Sequence, residues 1–150
     1  MKFYLIIVVF AIFVLLGVFI YFRYYFRHQL YKDLCYICKH LKNNITFKKD
    51  KLDVLLNDAY SNISTSSRNL LTNIKGNTSL IYKKDDVVVT QKFISSLGKG
   101  NVDYEMNNLN YYENNFEESR KVAKENLNKN GTMYIKLMIG IGLAVCIMLL

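Results

Sequence analysis

Both ends of this chain are long apolar segments. One unbroken run extends over Phe3–Phe22, and a second extends over Met133–Leu150 and is interrupted only by Lys136. About twenty apolar residues in a helix rise about 30 Å, which matches the hydrocarbon core of a bilayer. Both runs are therefore predicted to be transmembrane helices. The predicted division of the chain is a transmembrane helix over 1–22, a polar domain over 23–132 and a transmembrane helix over 133–150.

The first apolar run has the features of a retained anchor. It is followed by the bulky, aromatic and basic segment Ile20–Arg27, whereas a secretory signal ends in a small-residue cleavage site. Tyr21, Tyr24 and Tyr25 suit a membrane interface, where amphipathic rings settle at the level of the lipid headgroups. We therefore expect this segment to stay in the membrane.

The second apolar run contains small residues at helical spacing. Gly140, Gly142 and Ala144 give this helix a flat patch. Within the patch, Gly140 and Ala144 are four residues apart, a spacing that lets two membrane helices approach closely. They are the predicted packing residues of this helix, although glycine is also common in membrane helices for other reasons. Lys136 lies about one turn inside the run, where its side chain can extend to the interface.

The charge distribution predicts an orientation and a class of partner. The basic residues cluster beside the two apolar runs and the formal net charge is +8, so the polar domain is expected in the cytoplasm with both termini outside. The basic residues are not interleaved with aromatic residues, which disfavours nucleic acid. The lipid bilayer, through anionic lipid, or an acidic protein face is the expected partner.

No pattern in the polar domain indicates catalysis or a bound metal. Cys35 and Cys38 form a C-x-x-C pair, but His28 and His40 do not have the spacing of a zinc site. The pair is interpreted as two buried thiols on a helix. Phosphate-binding loops and nucleophile–base pairs are also missing from the sequence. We therefore predict a protein that is not an enzyme and has no cofactor and no metal.

The polar domain is predicted to be helical, because the chain contains no proline. The first helix is expected to continue beyond the membrane, with a buried stripe at four–three–four spacing, until Asn43 and Asn44 end it. The stripe is Leu30, Leu34, Ile37 and Leu41.

Three shorter helices are expected next. Asp50 is predicted to cap the second helix, Ser66 or Ser67 to start the third before Gly76, and Asp85 to cap a fourth that stops at Gly98. A β-branched stretch at 87–90 leaves a strand as the alternative for the fourth element. The predicted buried residues of the three helices are Leu52, Leu55, Leu56, Ala59 and Ile63, then Leu70, Leu71 and Ile74, then Val89, Phe93 and Leu97.

A long last helix completes the domain. It is predicted to start at Asn101 or Asp103 and to run through Gly131 into the second apolar run. Val102, Leu109, Phe116 and Ala123 repeat every seven residues along it, which is the spacing of a coiled-coil seam. The predicted fold is therefore all-α: a small helical bundle between two transmembrane helices.

The second half of the chain resembles a known family. The segment Phe93–Gly98, the polar helix after it and the stretch Lys129–Tyr134 before the last apolar run are similar to the stage III sporulation protein AB family. Members have an "LG" turn before a long helix and a "K-x-Y-x-x-LG" membrane helix. In this chain Asn101 and Glu105 take the places of an acidic residue and a glutamine that usually follow the turn.

The resemblance implies a platform role during sporulation. Such proteins are similar to the membrane platform of type II secretion machines. They are thought to lie in the mother-cell membrane and to engage a cytoplasmic ATPase. The expected partners are this ATPase, other membrane proteins of the complex and a possible second copy of the chain. Lys121, Lys124, Asn101 and Glu105 are the predicted partner-contact residues. The alternative function is an envelope-spanning scaffold that self-associates through the seam of the long helix.

Overall fold

The computed structural model describes residues 2–48, 52–72 and 81–149. These residues form six α-helices and a short π-helical segment, with no strand in the described ranges, so the all-α prediction is confirmed. The predicted cap Asp50 and the predicted end of the third helix, Ile74 and Gly76, lie outside them. The helices are α1 (Lys2–Lys48), α2 (Leu52–Ser61), α3 (Thr65–Thr72), α4 (Lys84–Ser96), α5 (Val102–Asn126) and α6 (Thr132–Leu149), and the π segment is Leu127–Gly131.

The chain forms two compact units. The first consists of Met1–Tyr25 and Ala123–Leu150, and contains the two apolar runs. The second is Phe26–Val122 and contains the helical bundle. Helix α1 is continuous from the first unit into the second.

The core of the bundle is built on the predicted stripe of α1. All four stripe residues are fully buried, together with Phe93 of α4 and Leu109 and Phe116 of α5. The ring of Phe116 lies edge-on to Phe93 at a centroid distance of 5.2 Å, and 6.2 Å from the ring of Tyr31. These aromatic contacts join three helices around one core.

Helix α1 is longer than the sequence predicted. It continues to Lys48, so the prediction that Asn43 and Asn44 end it is wrong. The Asn44 side-chain amide donates to the backbone carbonyl of His40 at 2.8 Å. The amide of Asn44 is thus bonded to the previous turn, and the helix continues past it.

The shorter helices α2 and α3 follow the predicted pattern with small shifts. Leu55, Ala59 and Ile63 are buried as predicted, as are Leu70 and Leu71, while Leu52 and Leu56 are half-buried. Helix α3 starts at Thr65, slightly earlier than predicted, because the Ser64 side chain caps it.

Helix α4 buries Phe93 as predicted, but the rest of its buried face differs from the predicted one. Val89 is 36% exposed, and the buried residues are Asp86, Thr90 and Phe93. The Thr90 hydroxyl donates to the backbone carbonyl of Asp86 at 2.7 Å, so this polar group is satisfied inside the helix. Lys83 occupies the N-cap position without a side-chain cap, and the predicted cap Asp85 lies inside the first turn. The strand alternative is wrong, since residues 87–90 are helical.

Helix α4 ends and helix α5 begins at the turn between them, as predicted. Gly98 has φ of 76°, a left-handed conformation that glycine adopts without steric cost. The Asn101 side-chain oxygen accepts the Tyr104 backbone N–H at 2.9 Å, which is an N-cap contact. The prediction that Asn101 can start the long helix is therefore confirmed.

The long last helix runs into the second apolar segment, as predicted. Helix α5 leads through the π segment directly into α6. Along the predicted seam Leu109, Phe116 and Ala123 are buried, whereas Val102 is 55% exposed. Val102 is the first residue of α5, directly after the turn.

Candidate functional site

The two apolar runs lie on helices that are long and apolar enough to cross a membrane. Judged by length and composition, the candidates are Tyr4–Asn44 and Val102–Leu149. Only 6% of the most apolar window of each helix is buried in the protein. Core helices of soluble proteins pass the same test but are mostly buried, and signal sequences also pass it. The exposure of both windows therefore favours contact with lipid over a place in a soluble core.

Close contacts between α1 and α6 are made at glycines. A methyl group added at Gly142 would lie 3.2 Å from Phe10 Cδ2 and 3.2 Å from Phe13 Cβ. A methyl group at Gly17 would lie 3.1 Å from Met138 Cβ. All three distances are shorter than ordinary van der Waals contact. The absence of a side chain at these glycines is what lets α1 and α6 approach so closely.

The contact between α1 and α6 is antiparallel and extends along both helices. Near one end Cys146 Sγ lies 3.8 Å from the Ile6 carbonyl oxygen. Near the other end the rings of Tyr24 and Tyr134 stack at a centroid distance of 6.4 Å. Residue numbers fall on α6 as they rise on α1, so the two helices form a hairpin-like pair inside this unit.

The π segment places one more glycine in this contact. Gly131 is buried, and a methyl group added there would lie 3.2 Å from Tyr21 Cδ2 and 3.3 Å from Leu127 Cδ1. π-Helical turns inside α-helices are frequent at functional positions. Here the π-helical turn ends at Gly131, the residue that lies against Tyr21.

The predicted packing residues Gly140 and Ala144 lie outside this contact. Among the described residues, and apart from its own helix backbone, no atom comes within 4 Å of the position of a Cβ at Gly140. Ala144 is exposed. Sequence reasoning placed Gly142 in the flat patch without singling it out, and it missed Gly17 and Gly131 as packing residues. Gly131 and Gly142 are 11 positions apart, which is about three helical turns, and this spacing could have placed them on one face.

A buried ion pair joins α1 to α4 inside the bundle. Arg27 Nε lies 2.9 Å from Asp86 Oδ2 and 3.2 Å from Oδ1. The Tyr31 hydroxyl donates to Asp86 Oδ1 at 2.6 Å, and the Arg27 guanidinium lies 5.8 Å from the centre of the Tyr31 ring. The Asp86 side chain is 1% exposed, so both of its partners are needed to compensate its charge.

The environment of this cluster shifts the pKa of its members. Burial, followed by the hydrogen bond to Asp86 and its charge, raises the pKa of Tyr31 from 10.0 to about 12. Burial alone would lower the pKa of Arg27, but the hydrogen bond and charge of Asp86 outweigh it and raise the pKa. The cluster therefore holds Arg27 charged and Tyr31 neutral across the physiological pH range.

A second polar cluster joins α1 to the start of α3. Asp33 Oδ2 accepts the Ser64 hydroxyl at 2.5 Å and the Ser64 backbone N–H at 3.2 Å. The Ser64 hydroxyl also lies 3.0 Å from that of Ser67. Burial raises the pKa of the nearby Tyr82 to about 12. Because the Asp33, Ser64 and Ser67 side chains bond to one another, these three residues are interpreted as a structural connection. The buried Tyr82 hydroxyl has no hydrogen-bond partner among the described residues.

The predicted partner-contact residues occupy different environments. Lys121 and Lys124 are exposed on α5, and Asn101 is exposed at its N-cap. Glu105 is 6% exposed, and its Oε1 accepts the backbone N–H groups of Lys99 and Gly100 at 2.9 and 3.3 Å. Glu105 therefore holds the turn before α5 in place, and contact of all four residues with a partner stays a prediction.

The C-x-x-C pair lies in the bundle core. Cys35 is 5% exposed and Cys38 is fully buried, and neither is in a disulfide. Burial raises the pKa of both thiols, which disfavours the reactive thiolate. Within the described ranges no three His, Cys, Asp or Glu side chains are grouped so as to hold a metal ion. The pair is therefore interpreted as core packing.

These features define a class of protein. A helical bundle, combined with two exposed apolar helices that pack against each other, is the architecture of a small α-helical membrane protein.

The comparison with known families is more specific. The profile of the stage III sporulation protein AB family matches residues 72–150, which is just over half of the chain. The chain therefore belongs to the stage III sporulation protein AB family, and is a sporulation protein. No curated protein and no solved structure matches it.

Proposed function

We propose that this protein is a non-enzymatic platform component of the secretion-like complex that connects mother cell and forespore. In this proposal it spans the mother-cell membrane twice and its helical bundle engages a cytoplasmic secretion-type ATPase. The family assignment supports a role in sporulation. The finer statements about the membrane, the complex and the ATPase rest on the following observations.

The antiparallel contact between α1 and α6 is the observation that carries the proposal. Two adjacent antiparallel apolar helices suit a protein that crosses the bilayer twice and has both termini on one side. The basic residues that flank the apolar runs then favour the cytoplasm for the polar residues between them. A bundle anchored at both ends is a suitable surface for recruiting a soluble enzyme to a membrane.

Charge supports the proposed contact with the ATPase. Lys121 and Lys124 are exposed, and among the described residues neither forms an ion pair with a carboxylate. Exposed, uncompensated lysines suit an acidic face on a partner, where they contribute mainly to the rate of association and to specificity.

The alternative, self-association through the seam of the long helix, loses its main support. Leu109 and Phe116 are fully buried within the same chain. Phe116 contacts the rings of Phe93, Tyr112 and Tyr31. Because this seam is already covered, a coiled coil with a second copy would require the bundle to open. A homo-oligomer would have to use another surface.

The test is binding of the ATPase to the full chain in lipid nanodiscs. The probe is the purified secretion-type ATPase of the same sporulating bacterium, measured by co-sedimentation at low salt. The double variant Lys121→Glu/Lys124→Glu should weaken binding about tenfold, if each exposed contact contributes about 0.7 kcal/mol. The control is Lys32→Glu/Lys92→Glu, which makes the same change of charge at two exposed lysines elsewhere.

Two results would count against the proposal. If the wild-type chain does not retain the ATPase at low salt, the platform role fails. If both double variants weaken binding equally, the attraction is one of overall charge, and Lys121 and Lys124 are not the contact.

A further inference from the structure

Lys136 is the only charged residue of the second apolar run, and it lies at a level inside both runs. A methyl group added at Gly17 would lie 3.1 Å from Met138 Cβ and 3.5 Å from Ile135 Cα, so this part of α6 lies beside Gly17 of α1. Gly17 precedes Phe22, the end of the first run, by five residues, which corresponds to about 7.5 Å along the helix. The backbone of Lys136 therefore lies inside both apolar runs, which in a bilayer is the depth of the hydrocarbon.

The charge of Lys136 has no counterpart in the pair of apolar helices. Neither apolar run contains an aspartate or a glutamate, and Lys136 forms no ion pair with any carboxylate in the described ranges. A charged side chain inside a membrane segment is costly, so it usually pairs with another group or extends to the interface. A second copy of this chain brings the same two apolar runs, and therefore supplies no carboxylate at this depth either.

The face of α6 that carries Lys136 is open. Lys136, Gly140 and Ala144 follow one another at intervals of four residues, which places them on one side of the helix, and all three are exposed. In the described part of the chain, no atom outside its own helix backbone comes within 4 Å of the position of a Cβ at Gly140. Helix α1 packs against Gly142, which is about 200° round the helix from Gly140. The contact with α1 thus leaves the Lys136 face uncovered.

We propose that this face docks a membrane-spanning helix of another protein, and that an acidic side chain of that helix pairs with Lys136. The small residues Gly140 and Ala144 let the backbone of the partner helix approach closely. Side chains on a helix point back towards its N-terminus, so the Lys136 ammonium is directed towards the start of α6. The matching carboxylate is therefore expected about one turn inside the partner helix. This inference needs α6 to lie in the membrane, as in the proposed function, but does not rest on the ATPase.

The test uses two synthetic peptides as probes and the full chain in phosphatidylcholine nanodiscs. Both peptides are dansylated leucine–alanine membrane helices. One carries a glutamate one turn inside each end, so that either orientation presents a carboxylate, and the other carries glutamine at the same positions. The chain contains no tryptophan, so Leu15→Trp, at an exposed residue of α1, provides a sole donor for energy transfer to dansyl. The glutamate peptide should bind at least about threefold more tightly, the size of an average polar contact between membrane helices.

Variants of the same chain assign this preference to Lys136. Lys136→Gln should abolish the preference, and Lys136→Arg should retain it. The matched control Lys129→Gln removes a charge just before the apolar run and should also retain it. Gly140→Leu should weaken the binding of both peptides, because it fills the open face. Equal recovery of the variants in nanodiscs and unchanged circular dichroism show that α6 is still inserted and folded.

Each of four results overturns the proposal. The first three are equal binding of the two peptides to the chain with Lys136, a preference that survives Lys136→Gln, and undiminished binding of both peptides to Gly140→Leu. The fourth is a preference that disappears when phosphatidylglycerol is added to the nanodiscs. In that case an anionic lipid headgroup, rather than the carboxylate of a partner helix, is the group that pairs with Lys136.

Discussion

Arg27 and Asp86 are 59 positions apart in sequence, yet the Arg27 Nε lies within hydrogen-bonding distance of both Asp86 carboxylate oxygens, at 2.9 and 3.2 Å. The Asp86 side chain is 1% exposed and that of Arg27 is 22% exposed. An ion pair of this kind contributes little net stability when intact, because both charges lose their hydration. Removing one partner is costly, because the other charge stays in the interior without compensation.

Replacing Asp86 should therefore destabilise the bundle strongly. Asp86→Ala leaves the Arg27 charge and the Tyr31 hydroxyl without their acceptor, and should lower the free energy of unfolding by about 3–5 kcal/mol. Denaturant titration of the full chain in detergent micelles, followed by circular dichroism, measures the change. The control is Asp85→Ala, which removes an exposed neighbouring carboxylate and should cost about 0.5 kcal/mol or less. Equal effects of the two changes would contradict the contact.

The same cluster predicts a loss of stability at alkaline pH. The pKa of Tyr31 is about 12 in the folded chain and 10.0 without burial, so folding favours the protonated, neutral phenol. Its stabilising contribution is therefore fully present below pH 10 and is lost as the pH rises through 12. One such proton changes the free energy of unfolding by about 1.4 kcal/mol per pH unit in this window.

Tyr31→Phe should reduce the slope of stability against pH by that amount between pH 10 and pH 12. Tyr82, whose pKa is also about 12, should give a similar slope, which Tyr82→Phe should remove in turn. The measurement is the free energy of unfolding of each variant at several pH values in the same micelles. An unchanged slope in Tyr31→Phe would show that its phenol ionises equally easily in both states.

The sequence predicted the helices of the bundle well where apolar residues alone mark the buried face. Leu30, Leu34, Ile37 and Leu41 repeat with the helical period and are fully buried. The prediction for α4 was right for Phe93 but wrong for the rest of the buried face, because this helix buries Asp86 and exposes Val89. The burial of Asp86 depends on Arg27, which is distant in sequence, and no local pattern contains that information.

For the two apolar helices, prediction from sequence is limited for a different reason. In an apolar helix such as α6, hydrophobicity does not distinguish the face that meets protein from the face that meets lipid. The small-residue spacing of Gly140 and Ala144 was the visible signal, but the contact with α1 uses Gly142. Only the partner helix, through Phe10 and Phe13, defines which glycine is needed.

Gly142→Leu should destabilise the pair of apolar helices, whereas Gly140→Leu should not. A side chain at Gly142 would meet Phe10 and Phe13, while the space at Gly140 is open. The expected cost at Gly142 is about 1–3 kcal/mol, from overpacking. Thermal unfolding of both full-length variants in nanodiscs measures the difference. If Gly140 is a contact with another membrane helix, Gly140→Leu should instead change the oligomeric state on size-exclusion chromatography without lowering thermal stability.

Cys35 and Cys38 should react slowly with thiol reagents in the folded protein. Both are buried, and burial raises the pKa of both thiols, so the thiolate that reacts is scarce. With Cys146 replaced by alanine, labelling by maleimide at neutral pH should be slow before unfolding and complete after it. Lys99→Cys introduces an exposed thiol for comparison and should react at once. Rapid labelling of Cys35 or Cys38 in the folded chain would restore a redox role as a hypothesis.

The low reactivity expected of these two thiols makes a topology measurement possible in intact sporulating cells. If Cys35 and Cys38 react slowly while folded, as expected, the Lys99→Cys variant with Cys146→Ala reports on the side of the membrane that the bundle occupies. The flanking basic residues favour the cytoplasm, so an impermeant maleimide should label position 99 only after lysis. A cysteine introduced at Lys2, at the other end of the first apolar run, should label before lysis. Labelling of position 99 in intact cells would put the bundle outside the cytoplasm, out of reach of a cytoplasmic ATPase.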